Sequence, residues 1–194
     1  MRLYHSKEPM LQAPVPHTPS IDEMMAGKPM VIVREFNAPR ERLFRAWVEP
    51  DLLCQWWGPH QFTNPVCRVD PRPGGAFHIV MRGPDGMEYP YGGILDDYDP
   101  PRRLVLAGKI DDGRSEGVFE QLTTVNFLDE GGQTRLVVET SAIKAAPEAR
   151  LMLEGMSEGW KQSLERLESL LLQPWPEHEN HHDHDVHYEN EAPK

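Results

Sequence analysis

The chain is short of cysteine and of basic residues, and it contains no long apolar run. Each shortage removes a class of protein. Two cysteines in 194 residues, Cys54 and Cys67, cannot make a disulfide scaffold, and neither stands at metal-ligand spacing from a histidine pair. They read as ordinary reduced thiols. Lysine and arginine number 20 against 31 aspartates and glutamates, which gives a net charge of −11. A surface of that sign does not suit phosphate backbones, so nucleic acid is not an expected partner. No apolar stretch approaches the roughly 20 residues of a membrane span. The first residues, MRLYHSKEPM, lack the apolar centre of a secretory signal. A cytoplasmic location is the expectation. There is also no serine–histidine–acid order, no phosphate-cradling glycine loop and no HExxH helix. No cofactor and no structural or catalytic metal is expected.

Apolar residues make up 39% of the chain, enough for one ordinary core. Residues 1–29 hold five prolines and little periodic pattern, and they read as a mobile arm or a strap lying on the domain. Beyond Leu172 the composition shifts again, to six acidic residues, one lysine and five histidines (178, 181, 182, 184 and 187). Such a segment cannot bury a core and reads as a disordered tail over 173–194. Its histidines and carboxylates resemble a metal-chelating tract, although flexible histidine-rich tails bind metals weakly without a function. The folded domain is therefore expected over residues 30–172.

Within that span, residues 30–37 pattern as a strand. Ala38-Pro39 then opens a helix carrying Leu43, Phe44, Trp47 and Val48 at helical spacing. Pro50 starts a second short helix that Gly58-Pro59 stops. From there to about residue 141 the pattern is strands and turns. Phe77, Ile79 and Met81 alternate with His78, Val80 and Arg82, and Phe119, Val125 and Phe127 share one parity. Short turns between strands imply an antiparallel meander. A last helix should run from Pro147 to about Leu172, with Leu153, Met156, Trp160, Leu164, Leu167 and Leu171 as its apolar stripe. The sheet is the large surface available to cover that stripe, so the fold class is α+β.

Several segments together resemble one family. They include Arg34-Glu35-Phe36-Asn37-Ala38-Pro39, Gln55-Trp56-Trp57-Gly58-Pro59, Asp70-Pro71-Arg72-Pro73-Gly74-Gly75-Ala76-Phe77 and Gly83-Pro84-Asp85-Gly86. Asp99-Pro100-Pro101-Arg102-Arg103-Leu104, Thr124-Val125-Asn126-Phe127 and Glu158-Gly159-Trp160 complete the series. Over residues 30–172 the chain looks like the bacterial homologues of the activator of the 90-kDa heat-shock-protein ATPase. These belong to the START-like superfamily, which also holds polyketide cyclases and aromatase/cyclases. The resemblance implies a helix-grip fold: a curved antiparallel sheet of about six or seven strands wrapped on a long C-terminal helix, with a cavity between them. It does not imply one chemistry.

The expected cavity contacts are Trp56, Trp57, Phe77, Met81, Tyr91, Phe119, Met152, Met156 and Trp160. Each has a plainer alternative, since large aromatics and methionines also fill cores. Gly155 and Gly159 interrupt the long helix, where each costs on the order of 1 kcal/mol relative to alanine. Close helix–sheet approach or room for a ligand could offset that. Candidates for acid–base work are Tyr91, His78 and Glu120, but the parity of His78 and Glu120 turns them toward water. The preferred reading is a binding domain for a small apolar or aromatic molecule. A cyclase- or dehydratase-type enzyme and a chaperone-activator-like interaction module are the alternatives. The eukaryotic activators contact the chaperone through a separate N-terminal domain, and only 29 residues precede the domain here, so chaperone contact is not expected. The chain should be a monomer or homodimer.

Overall fold

The computed structural model describes residues 14–110 and 119–175, apart from the side chain of Glu148. Seven strands make one antiparallel sheet: β1 (Met30–Phe36), β2 (Thr63–Val69), β3 (Ala76–Arg82), β4 (Glu88–Asp99), β5 (Arg103–Ile110), β6 (Phe119–Asp129) and β7 (Thr134–Ala145). Their spatial order is β1-β7-β6-β5-β4-β3-β2. Thus β2 to β7 form a continuous meander and β1 closes on β7, pairing Met30 with Thr140 and Phe36 with Thr134. β4 runs through a register shift between Leu95 and Asp97 before it ends at Asp99.

Two helices bridge β1 and β2. α2 (Arg40–Val48) follows Pro39, and α3 (Pro50–Trp56) begins on its own proline. The chain returns after β7 through a single 3-10 turn, Pro147–Ala149, into α4 (Arg150–Leu171). At 1.5 Å per residue, α4 is about 33 Å long. This is the helix-grip arrangement. In the C-terminal half of α4, Ser163, Leu164, Leu167, Leu170 and Leu171 are buried. In its N-terminal half Met152 and Met156 are only partly buried, although they continue the same stripe. The stripe is closed at one end of the helix and open over a gap at the other.

Residues 14–29 lie on the domain. His17 bridges Val31, and α1 (Ile21–Met25) is started by Ser20, which forms a capping box with Glu23. Met24 is buried, and Arg150 of α4 pairs with Asp22 at 3.0 Å. At the other end, Trp175 donates its indole N–H to the Leu170 carbonyl and lies under the guanidinium of Arg42, 4.7 Å from the ring centre. Cys54 and Cys67 are both free. No helix among the described residues is long and apolar enough to cross a membrane. No group of three or more histidines, cysteines or carboxylates among them could hold a metal. The tail histidines lie outside the described residues.

Candidate functional site

The gap under the N-terminal half of α4 is a cavity of about 260 Å³. Seven of the nine expected residues meet on its wall: Trp57, Met81, Tyr91, Phe119, Met152, Met156 and Trp160. The other two do not. Trp56 is wholly buried, with its indole N–H donated to the Ala46 carbonyl at 2.8 Å and its ring 4.8 Å from Trp47. Neighbouring residues at a helix end diverge, so Trp57 took the cavity and Trp56 the core. Phe77 faces inward as its parity required, but its ring packs against Tyr91 at 5.0 Å and across Gly108. It supports the wall from behind.

Trp57 is placed by the turn that follows α3. Gly58 has φ +87°, a left-handed conformation that bears a side chain poorly. Four hydrogen bonds from Arg166 hold this turn to α4. Nη1 donates to the carbonyls of Trp57 (3.1 Å), Gly58 (2.9 Å) and Pro59 (2.9 Å), and Nη2 to that of Gln55 (2.9 Å). Asn64 adds a bond to the Trp57 carbonyl at 2.7 Å. So fixed, the Trp57 ring stacks on Tyr91 (5.8 Å, 12°) and meets Trp160 edge-on (5.4 Å, 73°). Trp47 lies behind Trp160 at 6.0 Å. The wall is a set of mutually braced aromatic rings.

Tyr91 depends on a glycine two strand positions away. A Cβ on Gly108 would lie 2.6 Å from Tyr91 Cε2 and 2.8 Å from Phe77 Cζ, so only glycine lets both rings lie flat on β5. Burial pushes the Tyr91 phenol up to about 12, against smaller lowering effects from Gln121 and Thr123 beside it. The hydroxyl is therefore neutral near pH 7. Among the described residues it makes no hydrogen bond of ordinary geometry, but the Gln121 and Thr123 side chains lie close enough to act on it as weak hydrogen-bond partners. The other acid–base candidates lie away from the cavity. His78 is exposed, and Glu120 faces Lys144 at 3.6 Å on the outer face of the sheet.

Several lining residues escaped the sequence reading. Gln121 is 6% exposed and lies on the wall beside Tyr91. It shares the parity of Phe119, Val125 and Phe127, so the signal was a polar residue in an inward register. Ser163 also lines the cavity and returns its hydroxyl to the Gly159 carbonyl at 2.7 Å. Gly155 and Gly159 both border the space. A Cβ on Gly155 would meet nothing within 4 Å, and one on Gly159 would touch only Pro59 at 3.7 Å. Neither glycine serves a tight helix–sheet approach; Gly155 leaves room.

The comparisons agree with this architecture. A Nitrosomonas europaea protein of known structure is 28% identical and superposes with a TM-score of 0.63, covering 74% of this chain and 94% of its own. A Rhodobacter sphaeroides protein is 27% identical with a TM-score of 0.62, covering 74% of this chain and 92% of its own. The solution structure of an Arthrobacter aurescens protein, 24% identical and covering 82% of this chain and 95% of its own, shares the fold with a TM-score of 0.67. Among curated proteins nothing matches. The family model described as activator of Hsp90 ATPase homolog 1-like protein matches residues 37–172, nearly the whole helix-grip domain, and the chain belongs to that family.

Proposed function

We propose that the domain of residues 30–172 binds a small apolar or aromatic molecule in the cavity between the sheet and α4. The observation that carries this reading is the convergence of Trp57, Tyr91, Met156 and Trp160 on a space of about 260 Å³ that no side chain among the described residues fills. An apolar cavity of about 150 Å³ holds a benzene, so this one suits a molecule of about two fused rings. Rings offer stacking surfaces, and the three methionines adapt to an irregular outline. Binding is favoured over chemistry because the one titratable group on the described wall that was a candidate, Tyr91, is a phenol that burial raises to about 12, a weaker acid than an exposed tyrosine. The helix glycine Gly155 would then be kept for access, its helix cost offset by the function it permits.

The test is a thermal-shift series with unsubstituted aromatics of one to three rings. Naphthalene at ten times its Kd should add about 1.4 kcal/mol to stability. That corresponds to a Tm rise of roughly 3–6 °C for a domain of this size. The rise should vanish in Met156→Trp, whose indole occupies the space. No shift with any member of the series would reject the reading.

A further inference from the structure

Cys54 and Cys67 are well separated in sequence, yet the fold brings them together. Cys54 lies on α3 and Cys67 on β2, and α3 packs on that strand. Asn64 of β2 fastens the two elements: its side-chain amide donates to the carbonyls of Cys54 at 2.9 Å and Trp57 at 2.7 Å. Cys67 pairs with Ile79 of β3, whose side chain is buried, so Cys67 also stands on the inner face of the sheet. There it is half-buried against the core. Cys54 is half-buried too and donates its thiol to the Asp51 carbonyl at 3.4 Å. The two thiols are hydrogen-bond partners of each other, and both are free. Contact between two free thiols is the first requirement of a disulfide.

The surroundings give the two thiols different parts. Burial, with the Asp51 carboxylate, pushes the Cys54 thiol up, and the hydrogen bond from Cys67 offsets part of that. Burial pushes Cys67 up to about 12, and the neighbouring Cys54 adds to it. Cys54 therefore loses its proton first, with the Cys67 thiol as its donor. A thiolate is the form that attacks a disulfide, so Cys54 leads and Cys67 follows.

We propose that Cys54 and Cys67 are a redox site, which a small-molecule disulfide such as oxidised glutathione converts to a reversible intramolecular disulfide. The Cys54 thiolate attacks one sulfur of the oxidant; a mixed disulfide forms, the oxidant S–S bond breaks and one thiolate leaves. The Cys67 thiolate then attacks Cys54 Sγ; the Cys54–Cys67 bond forms and the second thiolate leaves. Two protein thiols are oxidised, one disulfide is reduced to two thiols, and the two protons end on those thiols. The loop closed by this bond, residues 54–67, carries Trp57 and the turn that Arg166 clamps. The proposal is independent of what the cavity binds.

Incubation of the full chain with oxidised glutathione, followed by intact-mass measurement, tests the proposal. The wild type should lose two hydrogens, stay monomeric and carry no glutathione, and dithiothreitol should reverse the change. The rate should rise roughly tenfold from pH 7 to pH 8, with the thiolate fraction. The oxidised chain should melt roughly 5–10 °C higher than the reduced one, because the bond closes a short loop in the unfolded chain. Cys67→Ser should instead retain one glutathione on Cys54, and Cys54→Ser should take up none over the same exposure. The wild-type masses decide the matter alone should a variant not fold. Glutathione retained on wild-type Cys54, disulfide-linked dimers, two thiols still free, or a lower Tm after oxidation would each overturn the proposal. Uptake of glutathione by Cys54→Ser as fast as by Cys67→Ser would overturn the roles given to the two thiols.

Discussion

The guanidinium of Arg166 on α4 donates to the main-chain carbonyl of Trp57 at 3.1 Å. One wall of the cavity is thereby tied to the other, since Trp57 contributes its ring to one side and α4 forms the opposite side. The Gln55 carbonyl that Arg166 reaches belongs to the last turn of α3, and those of Trp57, Gly58 and Pro59 to the turn after it, beyond the helical N–H groups. A positive charge there also complements the partial negative charge of the helix end.

Arg166→Ala should therefore lower stability by about 2–3 kcal/mol, because it strips several carbonyls of a charged donor. Arg166→Lys should recover less than half, since an ammonium cannot reproduce the planar fork that serves Gln55 and Trp57 together. Urea denaturation of the three proteins measures both values. Equal stability of Arg166→Lys and the wild type would mean that charge alone holds the turn.

Two glycines should respond oppositely to alanine. Gly155→Ala meets no atom within 4 Å and removes a flexible residue from a helix. It should stabilise by about 0.5–1 kcal/mol while narrowing the cavity, so naphthalene affinity should fall as Tm rises. Gly108→Ala would drive a methyl into the rings of Tyr91 and Phe77 and should destabilise by about 1–3 kcal/mol. Calorimetric melting curves distinguish the two, and a loss of stability in Gly155→Ala would contradict the open space assigned to it.

Tyr91 should leave a mark on alkaline stability. Its phenol is raised from 10.0 to about 12 by burial, so the unfolded chain releases the proton first. The stabilisation is complete below about pH 10 and is lost as pH rises to about 12. Over that window the wild type should lose about 2–3 kcal/mol more than Tyr91→Phe, from two units at 1.36 kcal/mol each. Parallel denaturation curves for the two proteins from pH 9 to 12 would show the difference. Coincident pH profiles would place the hydroxyl in contact with water.

Much of this arrangement was legible in residue spacing. The steps from Leu153 to Leu171 give α4 one inward face, and the alternation in β6 places Phe119, Val125 and Phe127 inward; all of these are buried except Met156, which lines the cavity. What spacing could not supply was the third dimension. Trp56 and Trp57 are equivalent in a sequence window, and only the left-handed turn at Gly58 with the Arg166 clamp separates their fates. Phe77 has the right face but is covered by Tyr91, a contact set by the missing side chain of a glycine on another strand. Gln121 stands in an inward register of β6 but lacks the apolar character that marks its neighbours Phe119, Val125 and Phe127. The register was the better guide, because a polar residue at a buried position needs a reason.

Methionine methyl groups report directly on a ligand that enters the space beneath α4. Met81, Met152 and Met156 line the cavity, whereas Met24 and Met30 are buried away from it. In a protein labelled at the methionine methyls, titration with naphthalene should move the resonances of Met81, Met152 and Met156, through ring currents, and leave Met24 and Met30 in place. Stationary resonances at all three lining methionines, or movement confined to Met24 and Met30, would contradict the account.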